Sequence, residues 1–140
     1  MYHWSDEYVG RRLFEDEHGY KGHKMCLLLA LEILEKHLNF AVYNETKRLI
    51  QETEENWYED YPYILVTHAH SYGNTLNNIK DIKEFDLVFF KIDNAIRHCG
   101  VMINDYGKFV HQLKDRPVQI DRLSSKHWSK RFFCGLRIKR

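Results

Sequence analysis

Residues 25–38 form the feature that most restricts how this chain can fold. They are good helix formers and include neither glycine nor proline, which predicts a helix. The first half of this helix is apolar on every side, so it must be enclosed by other parts of the chain. Cys26 falls in its first turn. The remaining sequence must therefore supply a layer that covers a helix with no solvated face.

The last third of the chain supplies that layer as a sheet. Short apolar or alternating segments are separated by turn-forming residues, of which 104–107 are the clearest. The segments predict an antiparallel sheet of about five strands, at 86–91, 96–103, 108–113, 118–120 and 131–138. A buried N-terminal helix packed on such a sheet is an α+β fold.

The middle of the chain is less regular. Asn44 is a suitable N-cap for a second helix at 44–57, and a strand is predicted at 63–67. Turn signals occupy 71–74, and 124–128 predicts one helical turn. Since no repeat or linker interrupts the sequence, we expect a single domain over residues 1–140.

Composition excludes several functional classes. The net charge is +1, from 21 basic and 20 acidic residues, so nothing indicates nucleic-acid binding by bulk electrostatics. The longest apolar run, 25–31, is far shorter than the ~20 residues of a membrane span. The first twenty residues include no apolar segment of the signal-peptide type, so we expect synthesis in the cytosol without a signal peptide. With three cysteines, a complete set of intramolecular disulfides is impossible.

Two histidines are brought together by the hairpin around 104–107. If its turn is centred on Asp105 and Tyr106, Gly100 lies opposite His111. His98 and His111 then share a face as diagonal neighbours, within reach of a hydrogen bond between their rings. Gly100 has no side chain and leaves room for the His111 ring. A shift of one residue in register would separate the pair.

A thiol next to this pair would complete a nucleophilic site. Cysteine attacks as the thiolate, which a helix N-terminus and a neighbouring imidazole both favour. Cys26 meets the first condition, and His98 on an adjacent strand is suited to the second. His111 would orient His98. Considered alone, a helical cysteine and a strand histidine are more often packing residues.

Other candidates have weaker support. Cys134 lies in a predicted strand and lacks a helix N-terminus, while Cys99 should point to the sheet face opposite His98, in a packing role. His68 and His70 form a His-x-His pair that leaves a zinc-binding module open as an alternative, without further ligands at a fixed spacing. The three tryptophans, at 4, 57 and 128, are expected to be core or interface anchors.

The C-terminal half resembles the NlpC-type cysteine endopeptidases of bacterial cell walls, especially a short branch encoded in phage tail modules. The resemblance is carried by Asp-Leu-Val-Phe-Phe at 86–90, Arg-His-Cys-Gly-Val-Met-Ile at 97–103 and Phe-Val-His at 109–111. It continues with His-Trp-Ser-Lys-Arg-Phe at 127–132 and Cys-Gly-Leu-Arg-Ile at 134–138. The lead-in at 14–19, Phe-Glu-Asp-Glu-His-Gly, is similar to that of the phage branch.

The resemblance implies a papain-like fold, with Cys26 as nucleophile, His98 as base and His111 as the orienting residue. It implies cleavage of amide bonds in peptidoglycan stem peptides, beside a D-configured acidic residue, through an acyl-enzyme and without a metal or other cofactor. Tyr20 is placed where a tyrosine could line the substrate site. The expected setting is a phage tail or tail-like particle acting at the bacterial wall, with other tail-tip proteins as partners.

The sequence departs from the family pattern around the nucleophile. Met25 takes the place of an aspartate expected to cap the helix, and Leu27 and Leu28 replace a small or aromatic residue and a glycine. Phe85 replaces the glycine before Asp86. These departures leave a second hypothesis open, in which the same fold is a catalytically inactive structural protein of a tail tip.

Overall fold

A computed structural model describes residues 3–11, 24–39, 73–113 and 116–139. The predicted helix is present as α1, Lys24–Leu38. Its inward side chains are almost fully buried, among them Leu29, Ile33 and Leu34. Cys26 is the third residue of α1, as expected for its first turn. Met25 is the second residue of α1 and therefore lies inside the helix. The prediction that position 25 is the N-cap was wrong.

The sheet has six antiparallel strands in the order β1-β6-β2-β3-β4-β5. In chain order the strands are β1 Gly73–Leu76, β2 Leu87–Ile92, β3 Ala95–Met102, β4 Lys108–His111, β5 Gln119–Arg122 and β6 Phe132–Ile138. A short helix, α2, covers Lys126–Ser129. Single turns of 3-10 helix stand at Trp4–Glu7 and Ile79–Asp81. The α+β architecture predicted from the sequence is confirmed.

The two faces of the sheet bury different sets of side chains. One face packs against α1, and its buried residues include Phe89, Cys99 and Val101. The opposite face is covered by α2, where Trp128 packs against Phe90. This alternation follows from the period of two along β2 and β3, both of which are buried on each side.

The structure corrects the turn predicted at 71–74 for the part that it describes. Gly73 and Asn74 belong to β1, which pairs with the end of β6. A side chain at Gly73 would stand only 2.0 Å from the carbonyl oxygen of Arg137. Glycine is therefore needed at position 73 because β1 and β6 approach each other closely, and not because the chain turns there. The helix predicted at 44–57 and the strand predicted at 63–67 lie outside the described residues.

The segment before β2 explains one departure from the family pattern. Phe85 has a φ of 69°, in the left-handed region that favours glycine. Its ring stacks on Trp4 with centroids 4.9 Å apart. Asp86, next along, is buried and accepts two hydrogen bonds from the guanidinium of Arg137. Stacking with Trp4 therefore offsets a backbone conformation that a phenylalanine adopts at a cost.

Candidate active site

The site begins with the register of β3 and β4. Val101 pairs with Val110 and Met102 with Phe109, which is the register predicted from the turn at 104–107. His98 Nε2 and His111 Nδ1 are 2.7 Å apart, and both side chains are buried. The predicted hydrogen bond between the two rings is therefore present.

Gly100 makes this contact sterically feasible. A Cβ atom at this position would lie 2.8 Å from the Phe109 ring and 3.3 Å from the Cβ atom of His111. The carbonyl oxygen of Val110 would be 3.0 Å away and belongs to the backbone, so a side chain at position 100 would press on the strand segment that carries His111. The role inferred for Gly100 from the sequence agrees with this geometry.

The Cys26 thiol interacts with two residues of β3, Cys99 and His98. It accepts a hydrogen bond from the Cys99 thiol and interacts with His98. The pKa of Cys26 is held well below its usual value, first by the bond from Cys99 and then by the hydrogen bond and charge of His98, against the opposing effect of burial. Its place in the first turn of α1 favours the thiolate further.

Cys99 has a larger part in the site than the sequence indicated. It lies on the face opposite the His98 ring, as predicted, and packs in the core under α1. The pKa of its thiol is raised well above the usual value by the neighbouring Cys26 sulfur and by burial. Cys99 is therefore the protonated donor and Cys26 the acceptor. Local sequence patterns do not reveal where α1 crosses β3, so this contact was missed.

A carboxylate that no local sequence pattern indicates lies behind His111. His111 Nε2 is 2.7 Å from Asp121 Oδ2, and Gln119 Nε2 donates to the same oxygen at 2.6 Å. Burial opposes ionisation of Asp121, but these hydrogen bonds, with a smaller contribution from Trp128, hold its pKa below the usual value. Cys26, His98, His111 and Asp121 thus form a continuous polar chain.

Two physical effects keep His111 neutral. Burial lowers its pKa to about 3, and the charge of His98 acts in the same direction, although Asp121 partly opposes both. His111 is fully enclosed. A neutral, fixed imidazole suits an orienting group, because it cannot compete with His98 for the thiol proton.

Trp128 packs over the histidine pair. Its indole stacks on His98 with centroids 5.3 Å apart and meets His111 edge-on at 5.0 Å. The side chain is 3% exposed, which confirms the predicted core position. Because Trp128 stacks on His98, it also limits rotation of the His98 imidazole ring.

Other candidates from the sequence lie apart from this cluster or beyond the described residues. Cys134 is buried under α1, and burial raises its pKa to about 11, which leaves it an unreactive thiol. Tyr20, His68 and His70 lie outside the described residues. Among the residues that the structure does describe, no group of three or more histidine, cysteine or acidic side chains is arranged to hold a metal ion. None of the helices in these ranges has the length and apolar character needed to cross a membrane.

A thiolate at the start of a helix, facing an imidazole that is oriented by a second polar side chain, is the arrangement of cysteine hydrolases of the papain type. The NlpC/P60 family model matches residues 37–137, well over half of the chain. The chain therefore belongs to the NlpC/P60 family. The matched segment includes His98, His111 and Asp121 but begins after Cys26, so the position of Cys26 in the site rests on the structure.

Several solved structures are similar to the chain, and for one of them the similarity extends over most of the chain. It is an NLP/P60 family protein similar to a lipoprotein, from Staphylococcus aureus subsp. aureus Mu50, with 14% sequence identity and a TM-score of 0.44. The similarity covers 94% of this chain and 44% of that protein, so the chain spans less than half the length of its structural relative. No curated protein sequence is detectably similar to the chain.

Proposed function

We propose that this protein is a cysteine endopeptidase that cleaves amide bonds in peptidoglycan stem peptides. Membership of the NlpC/P60 family suggests peptidoglycan hydrolysis. The observation that carries the proposal is the position of Cys26, whose lowered pKa results from direct contacts with Cys99 and His98. A cysteine retained only for packing would have its pKa raised by burial, as that of Cys134 is.

In the proposed reaction, the Cys26 thiolate attacks the carbonyl carbon of the scissile amide. His98, which has taken the thiol proton, returns it to the leaving amine as the acyl-enzyme forms. Water, deprotonated by His98, then attacks the thioester carbon and releases the acid product with the regenerated thiol. His111 orients the His98 ring throughout. Neither a metal nor another cofactor enters this scheme.

We further propose that the enzyme belongs to a phage tail or tail-like particle and acts on the host wall during entry. The support is the resemblance of residues 14–19 and 86–138 to the phage tail-module branch. Other tail-tip proteins would be its partners. Detection of the chain by mass spectrometry in purified tail particles would support this setting, and its presence only in soluble secreted fractions would contradict it.

One observation favours the alternative of a catalytically silent tail-tip protein. Cys26 and His98 are each only 2% exposed, whereas a peptide substrate must reach both. In this alternative the site is retained for its packing and its polar contacts. The two functions differ in whether a small electrophile and a stem peptide gain access to Cys26.

Digestion of purified peptidoglycan tests the enzyme directly. Wild-type protein and the Cys26→Ala variant are incubated with several wall types, and released muropeptides are identified by mass. Cys134→Ala is the matched control, since it removes a buried thiol of the same core that lies outside the polar chain. We expect cleavage by the wild type and the control only. Absence of cleavage by all three folded proteins would support the silent structural protein.

A further inference from the structure

Asp121 is placed to control which ring nitrogen of each histidine carries the proton. It lies on β5, where the pairing with β4 sets Phe109 opposite Asp121 and Gln119 opposite His111. His111 and Asp121 are therefore diagonal neighbours on one face, the same relationship that joins His98 to His111 across β3 and β4. Two successive diagonal contacts carry the polar chain across three strands.

The protons along this chain follow from what each group can donate or accept. An ionised carboxylate only accepts, so the 2.7 Å contact with Asp121 requires the proton on His111 Nε2. Since His111 is neutral, its Nδ1 then presents a lone pair. The 2.7 Å contact at Nδ1 must be donated by His98 Nε2–H. Neutral His98 is left with its lone pair on Nδ1, the nitrogen available to the Cys26 thiol.

We propose that Asp121 is a positioning residue of this active site, fixing the tautomers of His111 and His98 so that His98 Nδ1 is the base that receives the Cys26 proton. Its negative charge also favours the imidazolium that His98 becomes. This inference rests on the proposed function for its catalytic meaning. The tautomer assignment itself holds for the folded protein whether or not peptidoglycan is cleaved.

The surroundings of Asp121 fit this role. Gln119 donates to the same carboxylate oxygen as His111 at 2.6 Å, which holds the carboxylate in one orientation. Trp128 stacks on His98, so the ring at the other end of the chain is restrained as well. His127 on α2 is another titratable group near enough for its charge to act on His111. On the Cys26 side, the polar neighbours among the described residues include Cys99 and His98.

A purely structural role for Asp121 makes a different prediction. The side chain ties β5 to β4, and its loss would lower stability with no effect on Cys26, which Asp121 does not contact. A positioning role requires that a change at Asp121 be felt at Cys26 through both histidines. The pH dependence of Cys26 reactivity and the histidine tautomers separate the two roles.

The first measurement uses the wild-type protein and no substitution. Histidine ring tautomers are read by long-range ¹H–¹⁵N NMR at neutral pH, with the rings assigned from His98→Gln and His111→Gln spectra. We expect a proton on Nε2 alone of His111, and a proton on Nε2 of His98 whether or not its Nδ1 has also taken the Cys26 proton. The opposite tautomer on either ring would overturn the proposal.

The second measurement follows alkylation of Cys26 by iodoacetamide across pH in Asp121→Asn, with Cys134→Ala as the common background. An amide at 121 lacks the charge and can also donate to His111 Nε2, which permits the reversed tautomers. We expect the midpoint of the Cys26 titration to rise by about one pH unit, and alkylation below that midpoint to slow about tenfold. Asp121→Glu, which keeps a carboxylate, should restore most of the rate.

Asp93→Asn is the matched control, because it removes an aspartate charge from an exposed side chain that pairs with Arg97 and does not touch the histidines. It should leave the Cys26 midpoint unchanged. An unchanged midpoint in folded Asp121→Asn would overturn the positioning role. If Asp121→Asn does not fold, Gln119→Leu, which frees the carboxylate to rotate, should raise the midpoint by a smaller amount, and no shift there would overturn it. Wild-type tautomers and midpoints as expected, without wall cleavage, would refute the proposed function alone.

Discussion

His98 and His111 stand one diagonal step apart on neighbouring strands, and their ring nitrogens approach to 2.7 Å. The contact exists because Gly100, directly opposite His111 in this register, offers no side chain. A diagonal pair of this kind depends on both the register of the hairpin and the empty position between its members. Substitution of Gly100 is therefore expected to disrupt the histidine pair, although glycine itself has no functional group.

Gly100→Ala should uncouple the histidines. The new methyl group would meet the Phe109 ring at 2.8 Å and a backbone oxygen at 3.0 Å, so overpacking should cost about 1–3 kcal/mol of stability. Displacement of His111 by even 1 Å should reduce peptide hydrolysis by about a hundredfold. The histidine tautomers and the rate of muropeptide release measure the outcome.

Gly135→Ala is the control for Gly100→Ala. A methyl group there would meet the side chain of Ile82 at 3.0 Å, on β6 and away from the histidines. It should lower stability and leave hydrolysis close to the wild-type rate. Equal losses of activity in the two variants would show that the effect of Gly100→Ala is general destabilisation.

Cys99→Ala should raise the pKa of Cys26. The bond from the Cys99 thiol is the largest of the effects that lower that pKa, so its removal should shift the Cys26 titration midpoint upward and slow alkylation near pH 6. Cys99→Ser keeps a hydroxyl donor and should shift the midpoint less. The measurement is iodoacetamide modification followed by mass spectrometry, in the Cys134→Ala background. A midpoint that does not move in Cys99→Ala would mean that His98 alone lowers the pKa.

Local sequence rules predicted the histidine pair because the determining features lie close together in the chain. The turn at 104–107 fixes the register, and the period of two then fixes the faces, so His98 and His111 follow without knowledge of the rest of the fold. The same reasoning reaches Asp121 only if β5 extends beyond residue 120. The strand predicted from the sequence ends at residue 120, whereas β5 runs Gln119–Arg122. One further residue would have placed Asp121 diagonal to His111.

Contacts between elements that are far apart in the sequence cannot be predicted from such local rules. The hydrogen bond between Cys99 and Cys26 depends on where α1 crosses the sheet, which is set by packing of the whole helix-side core. The stacking of Phe85 on Trp4 joins residues about eighty positions apart, and the sequence alone showed only that a glycine was missing.

Substitutions at Phe85 should reveal the strain in its backbone. Phe85→Ala keeps a left-handed residue with a Cβ atom, whereas Phe85→Gly removes it, and both lose the stacking on Trp4. We expect both variants to be less stable than the wild type, with Phe85→Gly more stable than Phe85→Ala by about 1 kcal/mol. Urea unfolding of the three proteins measures the difference. If the alanine variant were the more stable, the left-handed backbone would not be a source of strain.

Acid should weaken the fold through His111. The unfolded chain protonates this histidine near its ordinary pKa of 6.5, but the folded protein only at about 3. The unfolded state therefore binds more protons between these values, and the stability contributed by neutral His111 is complete above pH 6.5 and lost as pH falls toward 3. Asp121, whose pKa is also lowered, acts in the same direction at the acidic end of that range.

We expect the free energy of unfolding to fall by roughly 2–4 kcal/mol between pH 7 and pH 4 in the wild type. His111→Gln removes the titrating group and keeps an amide that can bond to Asp121, so its free energy of unfolding should depend less on pH over this range. Urea unfolding of both proteins at several pH values gives the two slopes. Equal slopes would contradict a neutral, buried His111 and, with it, the proton arrangement inferred for the site.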